Sequence, residues 1–111
     1  MEQEAAFRQG LALIRGGRFF EAHEELEVAW RAAEPGERDF LQGLVHVTVA
    51  WYQAGRGRPV ATARQLEKAV RRLGPYVPDH RGVDVADVLA QVERARAMVA
   101  AGSLDLAPPR L

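Results

Sequence analysis

At 111 residues, 48% of them hydrophobic and 27% charged, the chain has the length of one domain and enough apolar side chains for a self-supporting core. Its 15 basic and 15 acidic residues cancel to a formal net charge of zero, which removes bulk attraction to DNA, RNA or an anionic membrane as a basis for function. With no cysteine, disulfides, thiolate metal sites and cysteine nucleophiles are excluded, and any metal would need His and carboxylate ligands.

The opening MEQEAAFRQG is acidic where a signal peptide is basic, and no apolar run reaches the roughly 18 residues of a membrane span, so a cytoplasmic location is expected. Phe7, Leu11 and Ile14 recur at helical spacing over residues 3–15, and Gly16 and Gly17 end that helix. A second helix is expected from about Arg18 to Ala33, broken by Pro35 and Gly36. The third begins near Glu37 and runs through RDFLQGLVHVTVAWYQAG. From Leu44 to Tyr52 it is apolar except for His46 and Thr48, the pattern of a central helix buried on most sides. Pro59 suits the first turn of a fourth helix, whose Val60, Ala63, Leu66, Val70 and Leu73 repeat at three and four residues before Gly74 and Pro75. In the loop GPYVPDHRG that comes next, His80 beside Asp79 and Arg81 is expected to be exposed. Asp84 is a good N-cap for a fifth helix, able to accept a backbone N–H three residues on, and that helix closes at Gly102. Pro108 and Pro109 forbid its continuation, so SLDLAPPRL reads as a docked or frayed tail.

GRFFEAHEELEVAW (17–30) and GRPVATARQLEKAV (57–70) align at an offset of forty, which also pairs helix one with helix three. The expected fold is therefore all-α: a compact five-helix domain over residues 1–102, built from two helical hairpins plus a fifth packing helix, with a tail over 103–111.

Two apolar helices carry polar stripes. At about 100° per residue, helix two sets His23 inside the face formed by Phe19, Ala22, Leu26 and Trp30, with Glu27 one turn on, Glu24 at the shoulder, and Glu21 and Glu25 pointing elsewhere. Gln42, His46 and Gln53 form one narrow stripe on helix three. Each buried polar group costs about 1–3 kcal/mol if unpaired. With helices two and three antiparallel across the short turn Glu34–Glu37, one cluster of His23, Glu27, Gln42, His46 and Gln53 is expected.

FFEAHEELEVAW followed by RDFLQGLVHVTVAWYQAGRG resembles the bacterial and archaeal family catalogued as domain of unknown function 309, an all-helical family with no established activity. The resemblance implies that Phe20, Glu21, His23, Glu24, Glu27, Trp30, Phe40, Gln42 and Gly43 occupy signature positions. The chain departs from the family pattern with His46 where glutamine is usual, Gln53 where histidine is frequent, and Arg58 where asparagine commonly follows the glycine. The first two look like an exchange of His and Gln within one stripe.

Two classes of function fit these residues. In the first, a binding or interaction module, the polar cluster specifies helix pairing and the protein contacts another protein, a small molecule or a second copy of itself through an apolar helix face. In the second, a small-ligand or metal-assisted hydrolase-like enzyme, His23, Glu27 and His46 handle a polar ligand or its protons. No His-Glu-x-x-His or Glu-x-x-His motif is present, so His23, Glu27 and His46 are weak metal candidates and no metal or other cofactor is expected. No phosphate loop or nucleophile elbow occurs, and Ser103 is the single serine. The aromatic residues read as core, and Arg56, Arg58, Arg64, Arg71 and Arg72 as a solvated surface. The first class is the better supported, because no catalytic motif is present.

Overall fold

The computed structural model describes residues 2–111, so residue 1 of the expected 1–102 unit lies outside it. Five α-helices follow in order: α1 (Glu2–Arg15), α2 (Phe19–Arg31), α3 (Pro35–Gly55), α4 (Pro59–Leu73) and α5 (Val85–Ala100), with a 3-10 turn at Gly74–Tyr76 and no strand among the described residues. Each helix packs on the next along the chain, α5 returning onto α4 after the 77–84 loop.

The repeat visible in the sequence is a repeat of turn chemistry. At the end of α1, Gly17 (φ 75°) takes the left-handed conformation, its N–H bonds Ile14 O at 3.0 Å and the Arg18 N–H bonds Leu13 O at 2.9 Å. At the end of α3, Gly57 (φ 73°) bonds Ala54 O at 3.0 Å and Arg58 N–H bonds Gln53 O at 3.1 Å. This pair of bonds satisfies carbonyls left free at a helix end and turns the chain back on itself, which is why each is followed by an antiparallel helix. The same pair recurs after α5, where Gly102 (φ 92°) bonds Val99 O at 3.0 Å and Ser103 N–H bonds Met98 O at 2.9 Å. There the returning segment is the tail.

Within each hairpin a glycine permits close approach. A Cβ at Gly10 would lie 2.7 Å from Leu26 of α2, and one at Gly43 would lie 2.6 Å from Leu73 of α4. α3 is the central element: eleven of its 21 residues are buried, among them Phe40, Leu41, Leu44 and Val47. Its Thr48 hydroxyl donates to Leu44 O at 2.8 Å, so that buried polar group is satisfied within the helix. No helix is long and apolar enough to cross a membrane, among the described residues.

Two boundaries differ from expectation. Pro35 and Gly36, expected to break the chain between helices two and three, form the first turn of α3, while α2 stops at Arg31. A proline lacks the N–H that has no partner at a helix start anyway, so the residue that cannot continue one helix begins the next. The N-cap of α5 is as expected, with Asp84 Oδ1 accepting from Asp87 N at 3.0 Å.

The loop before α5 is held more firmly than its sequence suggests. His80, expected to be exposed, lies edge-on to Phe40 with ring centroids 4.6 Å apart, and its Nε2 meets the Glu37 carboxylate at 2.8 and 2.9 Å. Arg81 adopts a positive φ of 49° in the tight turn closed by the His80–Val83 bridge. Its guanidinium lies 4.3 Å over Phe7 and donates to Glu4 at 2.6 Å and to Gln3 at 2.9 Å. That hydrogen bond from Arg81 holds the Glu4 carboxyl below its ordinary value. The group ties α1, the start of α3 and the loop together.

Candidate functional site

The cluster expected between α2 and α3 divides into two hydrogen-bonded sets with different surroundings. The first belongs to α2. His23 Nε2 meets Glu27 Oε1 at 2.6 Å, with the two side chains 27% and 38% exposed, and His23 Nδ1 faces Phe20 O at 3.2 Å. The one-turn spacing of residues 23 and 27 is what brings imidazole and carboxylate to one side of the helix. Both ring nitrogens thus face oxygen acceptors, and both contacts are donated together only by a doubly protonated ring.

The second set crosses from α3 to α4. His46 Nδ1 donates to Gln65 Oε1 at 2.8 Å, and Gln42 Nε2 lies 3.5 Å from His46 Nε2. With Nδ1 as donor, Nε2 of a neutral ring is free to accept from the Gln42 amide. Burial pushes the His46 pKa down, and the nearby cations Lys68, Arg72 and Arg71 push the same way, while the bond to Gln65 works in the opposite direction. The ring is 8% exposed, so His46 is a neutral hydrogen-bonding link between two helices. Gln65, on the solvent-flanked helix α4, carries no motif that marks it as its partner.

Two cavities flank the α2 pair. One of about 190 Å³ is lined by Phe19, Phe20, His23, Val49, Tyr52 and Gln53. The half-exposed Phe20 ring forms one wall, 5.6 Å from the His23 ring and 5.7 Å from Tyr52. Gln53 Oε1 is buried and accepts no hydrogen bond from the described residues. The other, about 500 Å³, is lined by Glu27, Trp30, Arg38, Asp39, Gln42, Val45 and Arg72. Its charges are largely engaged: Arg72 bonds Asp39 at 2.6 Å and the Arg38 guanidinium lies 4.5 Å over Trp30.

Of the residues singled out from sequence, the structure therefore sets His23 with Gln53 on one cavity and Glu27 with Gln42 on the other, and gives His46 to α4. Glu24 is exposed, and Glu21 pairs with Arg18. His46 departs from the expected cluster because helix three is packed on both sides, and the partner that reaches its ring is an amide from α4. His23, Glu27 and His46 do not converge, and no group of three His, Asp or Glu side chains among the described residues is placed to hold a metal ion. Ser103 Oγ accepts from Asp105 N at 3.2 Å in the turn after α5, away from this face. The cavity beside Phe20 and Tyr52 thus holds the His23 imidazole, itself bonded to the Glu27 carboxylate, and the Gln53 amide.

Tyr52 was not visible as a site residue in the sequence, where aromatic residues at helical spacing read as core. Arg56 was read as solvated surface, and it donates to the Tyr52 hydroxyl at 3.0 Å with its guanidinium 5.6 Å from the ring.

No curated protein and no solved structure matches the chain. A family model does match, over residues 7–65, which takes in both hydrogen-bonded sets from Phe20 through Gln65 and leaves out the 77–84 loop, α5 and the tail. By that match the chain belongs to the family described as domain of unknown function (DUF309).

Proposed function

We propose that the protein is a binding module whose recognition surface is the α2–α3 face, and that it takes a basic group, a lysine or arginine side chain of a partner or a small organic amine, into the cavity beside His23. The observation that carries this reading is the Gln53 side chain: it lines the cavity with His23, Phe20 and Tyr52, and its buried Oε1 has no donor among the described residues. A buried carbonyl left unpaired costs about 1–3 kcal/mol, and a rotation of the Gln53 amide toward the cavity lets an entering N–H donor recover that cost.

Three further features support a cation. The Glu27 carboxylate adjoins the imidazole, the Phe20 and Tyr52 rings present faces that attract positive charge, and Arg56 already stacks near Tyr52 within the chain. On α2, Glu24 and Glu27 lie on or beside this face while Glu21 is paired with Arg18, which leaves the face of α2 acidic and suited to basic partners.

Titration with n-butylammonium and with guanidinium, followed by the amide and side-chain NH2 resonances of Gln53, tests the reading. Saturable shifts confined to Phe20, His23, Tyr52 and Gln53 are expected, and Gln53→Leu should weaken binding by about fivefold, the equivalent of one hydrogen bond. Non-saturable or dispersed shifts with both probes would overturn it.

A further inference from the structure

We infer that the groove between α5 and α3 is a peptide-recognition groove, occupied in this chain by its own residues 104–111, and that it takes an extended, proline-bearing segment of a partner protein in competition with that tail. The groove is separate from the α2–α3 face; its α5 wall and the tail lie outside the segment matched by the family model, while Trp51 and Arg15 lie within it.

The tail returns along α5 after the Gly102 turn without secondary structure of its own. It is held by helix side chains that bond to its backbone. Trp51 Nε1 donates to Ala107 O at 2.9 Å, Gln91 Nε2 donates to Arg110 O at 2.7 Å, and Gln91 Oε1 accepts from Arg110 N at 2.7 Å. Arg15 Nη2 donates to Leu111 O at 3.0 Å. None of these bonds involves a tail side chain, so they select a polypeptide backbone and not this particular sequence. A carboxamide that bonds both the N–H and the C=O of one residue reads a peptide as a neighbouring strand would. An indole N–H on the carbonyl that precedes a Pro-Pro pair is the contact used to read polyproline II segments, whose backbone has no internal hydrogen bonds.

Side-chain selection comes from few positions. Pro109 is buried and Leu106 and Leu111 pack against the core, while Ala107, Pro108 and Arg110 are exposed. The register that the groove reads is therefore an apolar residue, a proline three positions on and an apolar residue two beyond it. The residue between the last two must not be proline, since Gln91 needs its N–H.

Two further features describe how the tail sits in the groove. A cleft of about 110 Å³, lined by Trp51, Gln91, Arg94 and Met98 of the helices and by Leu106 and Pro108 of the tail, runs beside it. Gln91 is 7% exposed on α5, with its amide committed to the Arg110 backbone and to Asp87 at 2.9 Å. When the tail leaves, an incoming peptide backbone offers that amide the same donor and acceptor, in competition with water.

The test uses the full chain and a fluorescent peptide of the tail sequence, LDLAPPRL, with a control peptide carrying aspartate in place of the second proline. An attached tail competes at an effective concentration of the order of millimolar, so the wild-type chain should bind the peptide weakly. Pro109→Asp, which loosens the tail, should tighten binding at least about tenfold. Adding Gln91→Ala should abolish it, the control peptide should not bind, and the Trp51 indole N–H resonance should report occupancy. Equal weak binding by wild type and Pro109→Asp would overturn the proposal, as would tail exchange into dimers without peptide binding. Should Pro109→Asp fail to fold, the Arg110 amide of the wild-type chain decides: excess peptide must speed its hydrogen exchange, and unchanged protection would make the tail an integral part of the core.

Discussion

Replacing His46 by alanine should cost the fold far more than replacing His23, although both histidines lie on apolar helix faces one helix apart. His46 is 8% exposed and donates at 2.8 Å to Gln65, so His46→Ala leaves the Gln65 carbonyl without its donor and opens a cavity between α3 and α4. The unpaired amide and the lost packing together amount to about 2–4 kcal/mol. At about 4 °C per kcal/mol for a domain of this size, the midpoint falls by roughly 10 °C. His23 and Glu27 are 27% and 38% exposed, and a solvent-screened pair of that kind contributes about 0–1 kcal/mol. His23→Ala and Glu27→Ala should therefore lower the midpoint by a few degrees at most. Thermal and urea unfolding at pH 7.5, followed by far-ultraviolet circular dichroism, measures both. Equal losses for the two histidines, or a larger loss for His23, would refute the division into a structural and an exposed set and with it the binding role given to the α2–α3 face. The pH dependence supplies a second check on the same residue. Because burial holds the folded pKa of His46 below 6.5, the unfolded chain takes up the proton first. The contribution of neutral His46 is then complete above pH 6.5 and is lost as pH falls toward and through the folded value. His46→Gln, which keeps a neutral hydrogen-bonding group, should flatten that part of the stability profile.

Other substitutions probe the frame that holds these sites. In an open helix Gly→Ala stabilises, but a Cβ at Gly43 would stand 2.6 Å from Leu73 and 3.2 Å from the Arg72 Cβ. Gly43→Ala should therefore destabilise by about 1–3 kcal/mol, read by urea unfolding, and a stabilised variant would contradict the close α3–α4 approach. Asp84→Ala removes the side-chain acceptor at the start of α5 and should cost about 1 kcal/mol in the same assay, with Asp84→Ser recovering most of it. The Glu4 carboxyl is held below its ordinary 4.5 chiefly by the hydrogen bond from Arg81, so its contribution is present above pH 4.5 and lost as pH falls through the folded value. Arg81→Met should return the Glu4 titration, followed by NMR, toward 4.5; an unchanged titration would dissociate the two residues.

Periodicity and turn chemistry made the helices legible, because both are local. Phe7, Leu11 and Ile14 repeat at the pitch of a helix, and Gly17 and Gly57 stand where the chain must turn back, so two hairpins and their forty-residue offset could be read directly. The Asp84 cap could be read for the same reason, since donor and acceptor lie three residues apart. Pro35 misled because the chemistry that stops one helix also starts another, and the choice between those roles depends on whether the residues after the proline find a face to pack against. The His23–Glu27 pair was legible as an i, i+4 contact.

What the sequence by itself determined is thus the set of helices, their caps, and the polar groups each helix carries on its apolar face. Only the tertiary structure decided which partner each polar group meets. His46 pairs with Gln65 nineteen residues away, His80 with Glu37, Arg81 with Glu4, and Gln91 with the backbone of Arg110, and none of these pairs has a spacing that marks it. The physical reason is that a buried donor or acceptor must be satisfied but not by any particular residue. Helical pitch settles where such a group points, whereas the crossing of neighbouring helices and the return of loops settle what lies opposite, and at Gln53 that leaves a buried oxygen with no donor among the described residues.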